Sequence, residues 1–238
     1  MHNDKSTFKV ATYNIHRCIG SDELCEPQRI LDVILELNAD VIGIQEIDSH
    51  CITEIGHQLN FIVKRTGYHF VAGPTMFRSE KHYGNALLTR HTIKNIRNLD
   101  LSVPGLEPRG AIDVDLEIHG MNYRIITTHL GLKYRERMFQ LKHLTDKIFE
   151  ANEHKTILLG DFNEWLPWVG TTRILKRRFH RVPSSGTFPA TKPIFRLDEI
   201  YTSMASKLKT HRVHKTKLSQ MASDHLPVVA EFILRDVP

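Results

Sequence analysis

The chain has 238 residues, 41% of them apolar and 25% charged, with a formal net charge of +5. Such a composition excludes a disordered or fibrous chain and is enough to bury one large core. The basic balance favours polyanionic partners, and 15 histidines make the charge sensitive to pH between about 6 and 7.

No repeat, low-complexity run or Pro/Gly/Ser-rich linker interrupts the chain, so residues 1–238 are expected to form one domain. No apolar stretch approaches the roughly 20 residues that span a bilayer. The polar start, Met1 to Ser6, lacks the pattern of a signal peptide, and a cytoplasmic location is expected. Cys18, Cys25 and Cys51 are odd in number and show no C-x-x-C spacing, which predicts reduced thiols.

Phe8 to Tyr13 alternates and is rich in β-formers, which predicts a strand delivering Asn14 at its end. Pro27 opens a helix with Ile30, Val33, Ile34 and Leu37 as its apolar stripe. The run Asp40 to Gln45 ends in Glu46, and a second helix follows with Ile52, Ile55, Leu59 and Ile62 inward. Strands are predicted at His69 to Ala72, after the turn at Tyr83, at Ile112 to Ile118 (half-exposed) and from Asn122 up to His129. Lys133 to Ala151 returns to a helical period, with Met138, Leu141, Thr145 and Ile148 inward.

The next stretch, Lys155 to Glu164, reads as a buried strand, Ile157-Leu158-Leu159-Gly160, running into Asp161 and Asn163. Side chains two apart on a strand share a face, so both could address one object. Turn formation is the competing reading. A segment with Trp165 and Trp168 follows, then strands at Phe195 to Tyr201, Lys207 to Lys217 and Leu226 to Leu234. Interleaved helices and hairpin-like spacing without strict βαβ repetition predict an α/β fold of two mostly antiparallel sheets, packed face to face and flanked by helices.

The regularity that points to chemistry lies at the ends of the apolar runs. They terminate in Asn14, Glu46, His129 and Asp161, and Ser223-Asp224-His225 stands just before the last strand. Brought to one rim, these carboxylates, amides and imidazoles outline a hydrolytic metal site. No G-x-x-x-x-G-K-[ST] loop, H-E-x-x-H helix or G-x-S-x-G elbow competes with that reading.

Tyr13-Asn14-Ile15-His16, Gln45-Glu46, Thr128-His129-Leu130, Gly160-Asp161-Phe162-Asn163 and Ser223-Asp224-His225, in that order, resemble the motifs of the endonuclease/exonuclease/phosphatase superfamily. The resemblance implies the deoxyribonuclease I-like fold, a four-layered αββα sandwich. It implies Mg²⁺, or Mn²⁺ in its place, held by Glu46 with Asn14 beside it and Asp224 as a nearby or second-site ligand; oxygen donors suit such hard cations. His225 would be polarised by Asp198, and either His225 or Asp161 would take the proton of water. His129 would face the phosphate as hydrogen-bond donor or general acid, and Asn163 would position a phosphoryl oxygen. Arg109 and Asn85 are further candidates for phosphate contact. Glu199, beside Asp198, should face away from the site.

The activity so implied is metal-dependent phosphodiester hydrolysis by in-line attack of water on phosphorus, with a phospholipid or small phosphodiester as substrate. A DNA or RNA nuclease is the alternative, and a non-catalytic module on the same fold would be expected to lack one of Glu46, Asp161, Asn163 or His225. Two basic stretches, Lys176 to Arg181 and Lys207 to Lys217, could funnel an anionic substrate if they border the rim, although most charge runs are solvated faces. No protein partner is evident.

Overall fold

The computed structural model describes residues 7–48, 58–78, 81–149, 155–166 and 170–234. In chain order these form β1 (Thr7–Asn14), α1 (Pro27–Leu37), β2 (Val41–Asp48), α2 (Gln58–Thr66), β3 (His69–Arg78), β4 (Lys81–Thr89), β5 (Thr92–Asp100) and β6 (Gly110–Ile118). There follow β7 (Met121–His129), α3 (Tyr134–Phe149), β8 (Lys155–Asp161), β9 (His180–Arg181), β10 (Asp198–Thr202), β11 (Leu208–Val213), α4 (Lys217–Ala222) and β12 (Val228–Ile233). One sheet has the order β11-β12-β1-β2-β4-β3 and the other β5-β6-β7-β8-β10-β9.

The pairing explains how distant motifs reach one rim. β1 and β2 are parallel, with Asn14 opposite Gln45, and β7 and β8 are parallel, with His129 opposite Asp161. Parallel neighbours end at the same edge. β10 runs antiparallel to β8 and therefore starts at that edge, with Asp198 opposite Asp161. β12 likewise runs antiparallel to β1, so the Ser223–His225 segment ahead of it arrives beside Asn14.

Three apolar cores separate four layers. α1, α2 and α4 cover the outer face of the first sheet, the two sheets pack on each other, and α3 covers the second. α1 shows why: Pro27 occupies its first turn, the Glu26 side chain accepts from the Gln28 N–H, and Ile30, Val33, Ile34 and Leu37 are all buried. Asn38 closes it in the left-handed conformation. Between the sheets a Cβ on Gly43 would lie 2.2 Å from Leu159 Cδ1, so glycine is required for this close approach. Beside it Gln45 links the layers, accepting from Thr12 Oγ1 and donating to Thr127 Oγ1, each at 3.1 Å.

Several expectations are revised. β6 is buried rather than half-exposed, because Asp113 is neutralised from both sides: Arg97 and Arg124 each donate two hydrogen bonds to its carboxylate. β5, whose alternation is mostly polar, was not foreseen. The strand expected from Phe195 begins at Asp198, and the strand expected from Lys207 to Lys217 stops at Val213, with Lys217 opening α4. A register shift between Leu208 and Thr210 also breaks the single basic face. The Lys176 to Arg181 stretch pairs through β9 with Tyr201 and Thr202, at the end of β10 away from Asp198. Cys18 is a buried free thiol, whereas Cys25 is disulfide-bonded, against the expectation of reduced thiols throughout. Ile52, Ile55, Cys51 and Trp168 lie outside the described residues. Among the described residues no helix is long and apolar enough to cross a membrane.

Replacing Asp113 with alanine leaves two arginines facing a buried void, so unfolding should be easier by about 3–5 kcal/mol, read as a lower urea midpoint at unchanged m-value. A midpoint equal to that of the unaltered protein would show that the Arg97–Asp113–Arg124 network does not hold the second sheet.

Candidate active site

Each rim residue is set by local backbone geometry. β8 ends at Asp161 after Gly160, whose φ of +151° and closeness to Thr128 O leave no room for a side chain. Asp161 Oδ1 then accepts from the Asn163 N–H at 2.9 Å, and Asn163 takes φ of +49°. The two residues thus converge through a turn closed by the aspartate rather than through the pleat of a strand. On β2 the pairing register with β4 shifts between Ile44 and Ile47, and Glu46 within that bulge adopts φ of +56°. A non-glycine residue held there is strained, and the bulge turns its carboxylate to the rim.

The centre of the site is Asp161 Oδ2. Asn14 Nδ2 donates to it at 3.0 Å and to Glu46 Oε1 at 2.9 Å, bridging the two carboxylates. His225 Nε2 stands 3.9 Å from the same oxygen and His129 Nε2 3.5 Å from it. On its other side His225 Nδ1 meets Asp198 Oδ2 at 2.8 Å. Asn14, Asp161 and Asp198 are essentially inaccessible to solvent, and Asp198 Oδ1 has no hydrogen-bond partner among the described residues.

Burial shapes the charge states. It raises the Asp161 carboxyl, with Asp198 adding to the effect, to about 7, while His225, Asn14 and the Asn163 N–H pull the other way. For His225 burial alone would depress the imidazole, but Asp198, Asp161 and Asp224 together lift it to about 10. His129 is pushed well below its ordinary range by burial and by the nearby Arg109 and His225 charges. Arg109 Nη1 lies 3.2 Å from His129 Nδ1. A guanidinium can only donate, and the Asn163 amide nitrogen stands 3.1 Å from Nε2, so both ring nitrogens of His129 face donor groups. Asp224 sits half-exposed 3.6 Å from His16, its carboxyl raised chiefly by burial, with Glu46 and Asp198 contributing.

The structure therefore gathers Asn14, Glu46, His129, Asp161, Asn163, Asp198, Asp224 and His225 at one rim. Arg109 reaches this group through His129. Asn85 donates instead to Gly110 O at 3.0 Å, tying β4 to the start of β6 beside Arg109. Glu199 faces the other way, accepting from Arg196, Arg181 and the Tyr201 hydroxyl.

Several residues at or behind the rim escaped the sequence. Tyr83 shares a hydrogen bond with Arg109, and its hydroxyl pKa is raised mainly by burial, with the Glu46 charge adding to the effect. Thr187 Oγ1 accepts from the Leu197 and Asp198 N–H groups, and Ser223 Oγ donates to Asn14 O at 2.8 Å. Arg137 of α3 donates to the carbonyls of Gly131 and Leu132 and to Glu164, joining the loops that carry His129 and Asn163. Of these, Tyr83 in the Tyr-Gly-Asn turn and Ser223 in the Ser-Asp-His motif carried a local signal.

The sequence profile described as the Endonuclease/Exonuclease/phosphatase family matches residues 11–225, a span holding every residue of the site. The chain belongs to this family. Its members are hydrolytic phosphoesterases, generally metal-dependent. YbhP of Escherichia coli (strain K12) is 29% identical, covering 96% of this chain and 97% of its own. Among solved structures, an endonuclease/exonuclease/phosphatase from Beutenbergia cavernae superposes with a TM-score of 0.80 at 20% identity, over 96% of this chain and 72% of its own. A mannosyl-6-phosphatase from Bacteroides thetaiotaomicron superposes at 0.77 and 20% identity, over 95% of this chain and all of its own. These two likenesses show the shared fold.

A raised imidazole pKa means that the Asp198–His225 pair stabilises the folded protein below pH about 6.5, and that this contribution fades as pH climbs through the folded value. In metal-free protein the His225 ring resonances should stay those of an imidazolium at pH 8. Asp198→Asn should bring the titration to or below about 6.5. A His225 titrating near 6.5 in the unaltered protein would contradict the pairing.

Proposed function

We propose that the protein is a divalent-metal-dependent phosphodiesterase that directs water in line at phosphorus. The observation carrying this reading is the Asn14 bridge between Glu46 and Asp161, with the Asp198–His225 pair aimed at the same Asp161 oxygen.

The donor set fits a hard cation. Glu46 Oε1 and Asp161 Oδ2 share the Asn14 amide with no thiolate among them, ligand atoms of Asp161, Asp198 and His225 lie within 4.8 Å of one another, and among the described residues the buried Asp198 Oδ1 lacks a donor. Such oxygens suit Mg²⁺ or Mn²⁺. Glu46 would hold the ion, with Asn14 beside it and Asp224 nearby. When bound, the cation supplies Lewis-acid stabilisation of charge on the phosphoryl group.

The chain's own residues divide the remaining work. His225, kept cationic by Asp198, donates Nε2–H toward a phosphoryl oxygen. Asp161, whose carboxyl is raised toward neutrality by burial, accepts the proton of the attacking water. His129, neutral and held between Arg109 and the Asn163 amide, faces the phosphate as a hydrogen-bonding group. Asn163, anchored by donation to Leu130 O at 2.9 Å, positions a phosphoryl oxygen, and Arg109 adds positive charge behind it. Asn85 supports this wall through Gly110. The phosphatase activity named for the Bacteroides neighbour supports phosphoester chemistry on this scaffold.

Glu46→Gln and His225→Ala should each lower Mg²⁺-dependent hydrolysis of bis(p-nitrophenyl) phosphate by about a thousandfold or more, with an unchanged far-UV spectrum. Undiminished turnover in both variants would refute the reading.

A further inference from the structure

Asp198 and His225 meet although different sheets carry them. Asp198 opens β10 of the second sheet, whereas His225 stands just before β12 of the first. Their 2.8 Å contact therefore depends on how the two backbones are held relative to each other. Among the described residues Asp198 Oδ1 has no hydrogen-bond partner, so this carboxylate is oriented by the His225 contact and by its own backbone.

One residue is bonded to both segments. Thr187, fully buried in the connection between β9 and β10, accepts at its carbonyl from the N–H of Leu226, the residue after His225, at 2.9 Å. Its Oγ1 accepts from the Leu197 N–H at 3.2 Å and from the Asp198 N–H at 3.3 Å. A hydroxyl has two lone pairs and one proton. Both lone pairs are thus taken, and the proton turns toward Phe195 O, 3.5 Å away. Thr187 is itself held, because its N–H donates to Phe195 O at 2.7 Å and the next residue, Phe188, exchanges N–H donations with Phe195 in both directions. From the same turn the Phe188 ring packs on the His225 imidazole, with centroids 4.9 Å apart.

We propose that Thr187 is the positioning residue of the Asp198–His225 pair: its carbonyl holds the His225 segment, its hydroxyl holds the Asp198 backbone, and the span between them aims the imidazole at Asp161 Oδ2. The kinetic consequence rests on the phosphodiesterase reading above, whereas the geometric one stands without it. A residue that merely closed its loop would need only its backbone bonds, which valine keeps. Valine has nearly the shape of threonine and removes the acceptor alone, releasing Asp198 while the Leu226 bond to the carbonyl stays. A small displacement of a group that orients a catalytic side chain is felt in turnover before binding.

The test compares the full chain with Thr187→Val and Thr187→Ala, which lack the hydroxyl, and with Thr187→Ser, which retains it. Proton NMR of metal-free protein reads the downfield resonance of the proton between His225 Nδ1 and Asp198, identified by its loss in His225→Ala. Mg²⁺-dependent hydrolysis of bis(p-nitrophenyl) phosphate reads the site. In Thr187→Val that resonance should move upfield or vanish by exchange, and kcat should fall by about 30- to 100-fold with KM within about threefold. Thr187→Ser should keep the resonance and bring kcat back to within about threefold of the unaltered protein. Absence of the resonance from the unaltered protein, or an unmoved resonance in Thr187→Val, would overturn the proposal whatever happens to kcat. So would serine and valine variants that fail alike, or a native far-UV spectrum lost in both hydroxyl-free variants, since either marks a residue needed for packing rather than for aim. A resonance that follows the hydroxyl in a protein unable to cleave the diester would uphold the positioning role and defeat the phosphodiesterase reading instead.

Discussion

Two carboxylates, Asp161 and Asp198, face each other across a strand pair in a region closed to solvent, and a single imidazole, His225, lies between them. Burying two such charges costs several kcal/mol each unless a cation or donors offset the loss of water. The protein answers with one charged ring, one bridging amide and a raised pKa on Asp161. The rest of the architecture serves to hold these groups within hydrogen-bond reach, because their charges are tolerable only together.

Topology accomplishes the gathering. Each sheet has one parallel pair near its middle, and each such pair ends two motif-bearing strands at the same edge. The antiparallel neighbours β10 and β12 then begin where those strands stop. The loops so assembled are tied from behind: Arg137 joins the loops after β7 and β8, Thr187 holds the start of β10, and Ser223 secures the approach to β12 against β1. Backbone strain at Glu46 and Asn163 is sustained by this surrounding order.

Much of this was legible in the sequence because buried strands write themselves as apolar runs, and a polar residue at the end of such a run is conspicuous. Hence Asn14, Glu46, His129 and Asp161 could be picked out, and the order of the motifs implied the sandwich. What stayed hidden depends on partners far along the chain. Asp113 reads as a solvent-facing strand residue until Arg97 and Arg124 are seen to enclose it. Thr187 and Arg137 sit in segments with no distinguishing pattern, and their roles exist only through the loops they touch. The left-handed turns at Glu46 and Asn163 replaced the regular pleat that alternation suggested. The basic runs were visible, but β9 lies at the end of β10 away from Asp198, and the register shift in β11 breaks its single basic face.

The proposed cation site at the rim is centred on Glu46. Titration calorimetry with Mn²⁺ on the unaltered protein and on Glu46→Gln tests it without reference to any substrate. Saturable binding that weakens by about tenfold or more in the variant is the predicted result. Absence of Mn²⁺ binding, or binding unaltered by the substitution, would contradict it.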